Sequence, residues 1–233
     1  LPKIVKYNKN FIKDIDVIFT ALPNGEAQDI SKNLTKDKVL IDLAADFRLE
    51  KSSDYLKFYN RSHKAKNLIK KSLYTLPEIN GKDIKNFQII SCPGCYPTSI
   101  LIPLIPLFKN KLIKTKNIII DSKSGYSGAG RGVYKKYEKK NLFESLSAYG
   151  VGFHRHNSEI QQMLNKYTKN NFDFIFTPHL SPMFRGILST IYVDLNKNVN
   201  QIDIIRRLKH FYKNHNFIKI LNPNTLVSTN DII

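Results

Sequence analysis

The sequence predicts an α/β half built on a parallel sheet, followed by a half in which strands and helices mix. Three observations predict it. Short apolar runs recur early, at Asp16–Leu22, Val39–Leu43 and Phe87–Ile90, with helical or polar stretches between them. Strands of a parallel sheet read this way because helices cover both of its faces. In the second half the strands instead alternate, as in Phe172-Asp173-Phe174-Ile175-Phe176, and the strand–helix rhythm stops.

The first strand closes in the turn Pro23-Asn24-Gly25, and a helix follows from Glu26 to Leu34. Val39–Leu43 is the second strand. Asp46-Phe47-Arg48 lies just past its carboxyl end, where open α/β sheets bind ligands. Residues 51–75 read as a surface segment with some helix, and Leu76–Gly81 as a turn. The third strand runs into Ser91-Cys92-Pro93-Gly94-Cys95-Tyr96-Pro97-Thr98, from which a helical pattern leaves. Pro97 suits a first helical turn, and Pro103 is expected to end or kink the helix because it removes a hydrogen bond.

The strand Asn117–Ser124 ends in Ser124-Gly125-Tyr126-Ser127-Gly128-Ala129-Gly130-Arg131-Gly132. Four glycines in eight residues allow tight turning, and bare N–H groups there would form a nest for an anion. Leu146–Gly152 then leads to His154-Arg155-His156-Asn157-Ser158-Glu159. Ser158 and Gln161 have capping-box spacing, and Ile160, Met163, Leu164 and Tyr167 follow a helical stripe. Further strands are expected at Phe172–Thr177, Gly186–Asp194 and Phe217–Leu221, with a helix over Ile202–Phe211. A boundary near Thr98–Leu107 divides the chain into residues 1–97 and 98–233.

The 233 residues are 42% hydrophobic, enough for a core. No apolar run approaches the roughly 18 residues of a membrane span, and two cysteines do not make a disulfide framework. A soluble cytoplasmic protein is the expectation. The net charge of +18 would suit a nucleic-acid binder. Its lysines are scattered, however, with no basic stripe interleaved with aromatics and no zinc-finger spacing. No nucleic acid, membrane or metal is therefore expected, and the charge reads as a lysine-rich surface that favours anionic ligands.

Cys95 stands on a turn between a strand and a helix start. There the helix dipole favours an anion, and the thiolate is the reactive form of cysteine. Two imidazoles, a guanidinium and a carboxylate converge at the second helix start, away from its apolar stripe. A cysteine with a histidine is a nucleophile–base pair, used in proteolysis, amide transfer and thioester chemistry on aldehydes or acyl phosphates. Arg48, Arg131, Arg155 and Arg185 suit a substrate bearing carboxylate or phosphate. Other readings stay open on these grounds. Cys92 and Cys95 have redox-pair spacing, and Cys95 could be a small buried hydrophobe. A zinc site would need two further ligands.

Together these motifs resemble the N-acetyl-gamma-glutamyl-phosphate reductase family. The resemblance rests on Pro93–Thr98, Ser124–Arg131, His154-Arg155-His156 with Glu159-Ile160, and Thr177-Pro178-His179-Leu180 with Arg185-Gly186, in order and at similar spacing. Asp42-Leu43, Asp46–Leu49 and Leu76-Pro77-Glu78 also fit. The resemblance implies an aspartate-semialdehyde dehydrogenase-like fold: a Rossmann-like parallel-sheet domain for NADP, joined to a mixed-sheet catalytic and oligomerisation domain. It implies NADPH-linked reduction of N-acetyl-glutamyl 5-phosphate to the semialdehyde, with release of phosphate, in arginine biosynthesis. Cys95 matches the nucleophile that forms a thioester. His154 matches the acid/base residue, which would assist thiolate formation and protonate the collapsing intermediate. Arg48, His156, Glu159 and Tyr149 are then substrate-binding candidates. Ser124, Gly125, Ser127 and Gly128 are cofactor-binding candidates, and a homodimer or homotetramer is implied.

The sequence departs from the family in several places. The amino-terminal glycine fingerprint for the pyrophosphate and a later glycine-rich cofactor loop are missing, so the chain reads as a piece of a longer protein. Cys92 stands where Asn is common, Ala44 where Ser is common, and Asn24 where His is often found. Rival readings are a lysine-pathway paralogue acting on a carrier-linked aminoadipyl phosphate, an aspartate-semialdehyde dehydrogenase, and a basic nucleic-acid-binding protein or inactive fragment.

Overall fold

The structure, a computed structural model, describes residues 3–129, 144–169 and 172–232. The chain divides into two compact units, Leu1–Gly94 and Cys95–Ile233.

The first unit holds a four-stranded parallel sheet in the order β1-β2-β4-β3, formed by Val17–Thr20, Val39–Asp42, Ser72–Tyr74 and Ile89–Ser91 as β1 to β4. The apolar runs of β2 and β4 form the buried middle of the sheet, while β1 at its edge leaves Val17 and Phe19 exposed. Leu40 and Ile89 are fully enclosed and pack with Phe47 and Ala65, and Ile18, Ile30, Leu34 and Leu68 lie against them. The helices are α1 (Glu26–Ser31), α2 (Ser52–Tyr59) and α3 (Pro77–Asn80). Residues 51–75 are thus more regular than their polar composition suggests, holding α2, a 3-10 helix over Lys66–Lys71 and strand β3.

Asp46 is a structural hub of this unit. Its carboxylate accepts from Gly25 N (2.7 Å), Gln28 N (3.3 Å), Gln28 Nε2 (3.2 Å) and the Tyr55 hydroxyl (2.8 Å). Four donors compensate a buried charge, and Gly25 reaches this geometry at φ +98°, a backbone conformation glycine adopts without strain.

The second unit opens with α4 (Cys95–Lys109). Its sheet has the order β6-β7-β5-β8, from Ile118–Ser124 (β5), Ser147–Ala148 (β6), Phe174–Leu180 (β7) and Ile187–Tyr192 (β8). Strand β5 pairs parallel with β7 and antiparallel with β8, so the sheet is mixed. Ile118, Ile120, Ser122 and Ser124 alternate onto the buried face, while Ile119 points outward. Helices α5 (His156–Thr168) and α6 (Gln201–Phe211) complete the unit.

Three expectations are corrected. Helix α4 runs on through Pro103 and Pro106. Proline 106 cannot donate to the carbonyl of Ile102, and the Tyr212 hydroxyl donates to that carbonyl instead. Helix α5 starts at His156 rather than at a Ser158 capping box. Ser158 therefore lies inside the first turn, and its hydroxyl donates back to the Arg155 carbonyl at 2.7 Å. Among the described residues the segment 217–221 pairs with no strand, and Phe217 is 94% exposed. The capping box in this unit belongs to Asn200 and Asp203 at α6.

Candidate active site

The second unit brings most of the candidate residues together. Cys95 is the first residue of α4 and is exposed. The next residue, Tyr96, points inward with 2% exposure. Its hydroxyl donates to Ser124 Oγ at 2.8 Å, lies 3.0 Å from the Tyr149 hydroxyl, and is 3.2 Å from the His179 carbonyl. Burial pushes the Tyr96 phenol far up, so this hydroxyl stays protonated. The network ties the start of α4 to the end of β5 and to the Tyr149 turn.

His154 sits inside a ring of aromatic edges. The centroids of Tyr96 (5.6 Å), Tyr149 (5.5 Å), His156 (4.8 Å) and Phe176 (5.7 Å) surround it, each ring steeply inclined to the imidazole. Gly150 closes a further side. A Cβ there would lie 3.2 Å from His154 Cδ2, and φ is +60°. Nδ1 accepts the backbone N–H of His156, the first residue of α5, at 3.2 Å. Desolvation, and then the Arg155 cation, push the His154 pKa down to about 4.

The His156 ring packs against this imidazole, and His156 Nε2 lies 3.7 Å from Glu159 Oε1. Glu159 is fully buried and His156 nearly so, so neither faces solvent. Tyr149 presents its ring edge to His154 and its N–H to the Pro178 carbonyl.

The glycine loop is not a nest of bare N–H groups over Gly125–Gly128. Gly125 N donates to the Gly186 carbonyl, Ser127 N to Phe184 and Gly128 N to Gly125. A Cβ at Gly125 would come within 2.5 Å of the Phe184 carbonyl, so this glycine serves close backbone approach. Ser124 and Gly125 are buried, while Ser127 and Gly128 are exposed. Gly130 and Arg131 lie outside the described residues.

In the first unit, Arg48 is largely buried. It donates from Nε to the Cys92 carbonyl (2.9 Å) and from Nη2 to the Leu43 carbonyl (3.0 Å), which fixes the turn before Cys95. Burial pushes the Cys92 thiol up, and Asp42 adds to the effect. Asp42 and Ser91 end two neighbouring strands. Asp42 Oδ2 and Ser91 Oγ are buried without hydrogen-bond partners among the described residues. Burial raises the Asp42 pKa. Such orphaned atoms at the carboxyl ends of parallel strands fit the polar groups of a dinucleotide.

Known proteins place this arrangement. Residues 2–87 match the family described as semialdehyde dehydrogenase, NAD binding domain, and residues 95–233 match semialdehyde dehydrogenase, dimerisation domain. N-acetyl-gamma-glutamyl-phosphate reductase of Vesicomyosocius okutanii subsp. Calyptogena okutanii is 42% identical over 240 residues, covering 99% of this chain and 70% of the relative. The chain belongs to the N-acetyl-gamma-glutamyl-phosphate reductase family.

Other reductases of this name agree. The chloroplastic relative from Arabidopsis thaliana is 42% identical and is covered over 58% of its length. The Desulforamulus reducens reductase is 44% identical and 62% covered. The chain thus spans about three-fifths of these two relatives. Aspartate semialdehyde dehydrogenase from Francisella tularensis shares the fold, with a TM-score of 0.63 at 14% identity over 88% of this chain and 65% of the neighbour. The fold is therefore a nicotinamide-dinucleotide-binding parallel-sheet unit joined to a mixed-sheet unit. Among the described residues, no helix is long and apolar enough to cross a membrane.

Sequence reasoning missed Tyr96 and Gly150 as parts of the site. Tyr96 adjoins the cysteine and could have been flagged. Gly150 had no signal beyond its place four residues before His154.

Proposed function

We propose that this chain carries the nucleophile and part of the dinucleotide-binding region of a reductase. It would convert N-acetyl-glutamyl 5-phosphate to N-acetyl-glutamate 5-semialdehyde and phosphate, with NADPH, in arginine biosynthesis. One observation carries the reading: an exposed cysteine begins α4, and its neighbour Tyr96 is locked against a desolvated histidine at the start of α5. NADP is preferred because a solved aspartate semialdehyde dehydrogenase of similar fold, from Candida albicans, is described with NADP.

Cys95 Sγ attacks the acyl carbon. The C–S bond forms, the C–O bond to phosphate breaks, and phosphate leaves with that electron pair. The positive end of α4 favours negative charge on the sulfur, and its free N–H groups can hold the carbonyl oxygen. A bound nicotinamide dinucleotide supplies the hydride. Release of the aldehyde breaks the C–S bond and returns its electron pair to Sγ. His154 would serve the oxygen on which charge builds.

Within the first unit, Asp42 and Ser91 are the dinucleotide contacts we propose; within the second, Ser127 and Gly128 are the exposed cofactor-binding candidates, on a loop shaped by Ser124 and Gly125. Arg48 contributes positive charge beside the Cys92 turn for an anionic substrate. Tyr149, His156 and Glu159 support the substrate region by holding His154. The two free cysteines suit a reducing compartment such as the cytoplasm.

We also propose self-association through the outward face of the second sheet. Ile175, Ile119 and Tyr192 form one row across β7, β5 and β8, with Ile175 62% and Tyr192 59% exposed. Exposed apolar rows of this kind mark association surfaces, and the matching family is described as a dimerisation domain.

The test is oxidation of N-acetyl-glutamate 5-semialdehyde by the full-length protein with NADP+ and phosphate. Turnover should fall at least about a thousandfold in Cys95→Ser. Near-normal turnover in that variant sinks the mechanism.

A further inference from the structure

We propose that His154 is held as the neutral Nε2–H tautomer, and that it serves the reaction as a hydrogen-bond donor to the charged substrate oxygen rather than as the base that takes the Cys95 proton. This deepens the reductase reading and rests on it.

The geometry begins at Nδ1. That nitrogen accepts the N–H of His156 at 3.2 Å, so its lone pair is engaged. A neutral imidazole carries one proton and one acceptor nitrogen. With Nδ1 as the acceptor, the proton is on Nε2. That nitrogen then has no lone pair for the Cys95 thiol, but it has an N–H to offer. Among the described residues Nε2 has no hydrogen-bond partner, which leaves this donor for a ligand.

Taking up a second proton would need Nδ1–H to face the N–H of His156. Two donors would then oppose each other across the present hydrogen bond. The positive end of α5, a helix of 13 residues, stands on the same side. A helix start of this kind keeps an imidazole neutral so that it can polarise a carbonyl.

A flip of the ring would put Cδ2–H where Nδ1 now accepts, and the His156 N–H would lose its partner. Tyr96, Tyr149, His156 and Phe176 surround the imidazole and set its plane. The charged and titratable groups around it agree. Arg155 opposes an imidazolium, and Tyr96 and Tyr149 are phenols bonded to each other. Glu159 pairs with His156 and not with His154. Burial acts in the same direction as Arg155, favouring the neutral ring.

The experiment uses full-length protein with isotope-labelled histidine. Long-range proton–nitrogen NMR correlations at pH 7 distinguish the two neutral tautomers and the imidazolium, and the His154 set is identified by its loss in His154→Gln. The expected result is an unprotonated Nδ1 and a protonated Nε2. A protonated Nδ1, alone or with Nε2, overturns the proposal. A second measurement follows alkylation of the Cys95 peptide against pH by mass spectrometry. In His154→Gln its midpoint should move by less than about 0.5 pH unit; an upward shift of about one unit or more, as loss of a partner base would give, overturns the proposal. These outcomes are separable from the reductase reading. Turnover surviving Cys95→Ser would remove that reading and leave the tautomer standing. An Nδ1–H tautomer in an enzyme that loses turnover with Cys95→Ser would do the reverse.

Discussion

Gly150→Ala isolates what the cage around His154 contributes. Gly150 has φ +60°, and a Cβ there would lie 3.2 Å from His154 Cδ2 and 3.3 Å from His154 Cβ. The left-handed backbone costs an alanine about 1–2 kcal/mol. The contact must also be relieved, and the mobile partner is the imidazole. Gly152 supplies the control, because it has φ +79° with nothing within 4 Å of its would-be Cβ. Both variants should lose about 1–2 kcal/mol, or roughly 2–8 °C in Tm. Only Gly150→Ala should lose turnover, by about tenfold to a hundredfold, since small misplacements of a reacting group cost that much. The assay is thermal melting and semialdehyde oxidation on the full-length protein carrying each change. Equal loss of kcat in both variants, or no loss in Gly150→Ala despite a lowered Tm, refutes the idea that the cage positions His154.

Three further outcomes follow from the same geometry. The folded pKa of His154, about 4, lies below its ordinary 6.5, so the unfolded chain binds the extra proton first as pH falls. Stability should therefore drop between about pH 6.5 and 4, by at most about 3 kcal/mol from this group; urea melts across that window should flatten in His154→Gln, and an unchanged slope counts against the burial. Tyr96→Phe keeps the ring edges but removes the hydroxyl shared with Ser124, Tyr149 and the His179 carbonyl, and should destabilise by about 1–3 kcal/mol in denaturant melts. Ile175→Lys, at 62% exposure on the outer sheet row, should shift sedimentation toward monomer while leaving the far-UV spectrum unchanged, and an unmoved oligomer would exclude that face.

The parallel sheet was legible because its information is local. Val39–Asp42 and Ile89–Ser91 are apolar on both faces, and only a covered parallel strand needs that. Cys95 at a helix start was legible for the same reason, as a turn sequence between two periodic segments. The failures are places where distant residues decide. Pro103 is expected to end or kink the helix, yet α4 runs on past it and past Pro106, whose missing N–H is replaced at the Ile102 carbonyl by the hydroxyl of Tyr212, more than a hundred residues away. Ser158 has the spacing of a cap, but the helix begins two residues earlier and its hydroxyl donates to the Arg155 carbonyl. The run 217–221 is apolar enough for a strand, but no strand accepts it. The glycine loop was read as open because its carbonyl partners, Phe184 and Gly186, lie some sixty residues further on.

The two helix starts of the second unit lead to one consequence for the chemistry. A helix dipole presents positive charge at its first turn whatever side chain stands there. At α4 the side chain is a sulfur, and the dipole favours its anion. At α5 the imidazole of His154 stands just before the helix, accepts the His156 N–H, and meets the same field, which opposes its cation. Both effects push the pair away from a thiolate–imidazolium ion pair and toward a thiolate with a neutral donor. Such a pair is net negative, while the proposed substrate is anionic too. The balancing charge must come from a group other than His154. Arg155 is exposed beside the imidazole. A guanidinium stays charged throughout the pH range in which a thiol titrates, so Arg155 is the group of this unit we propose for the substrate's anionic part, with the reacting proton inventory left untouched.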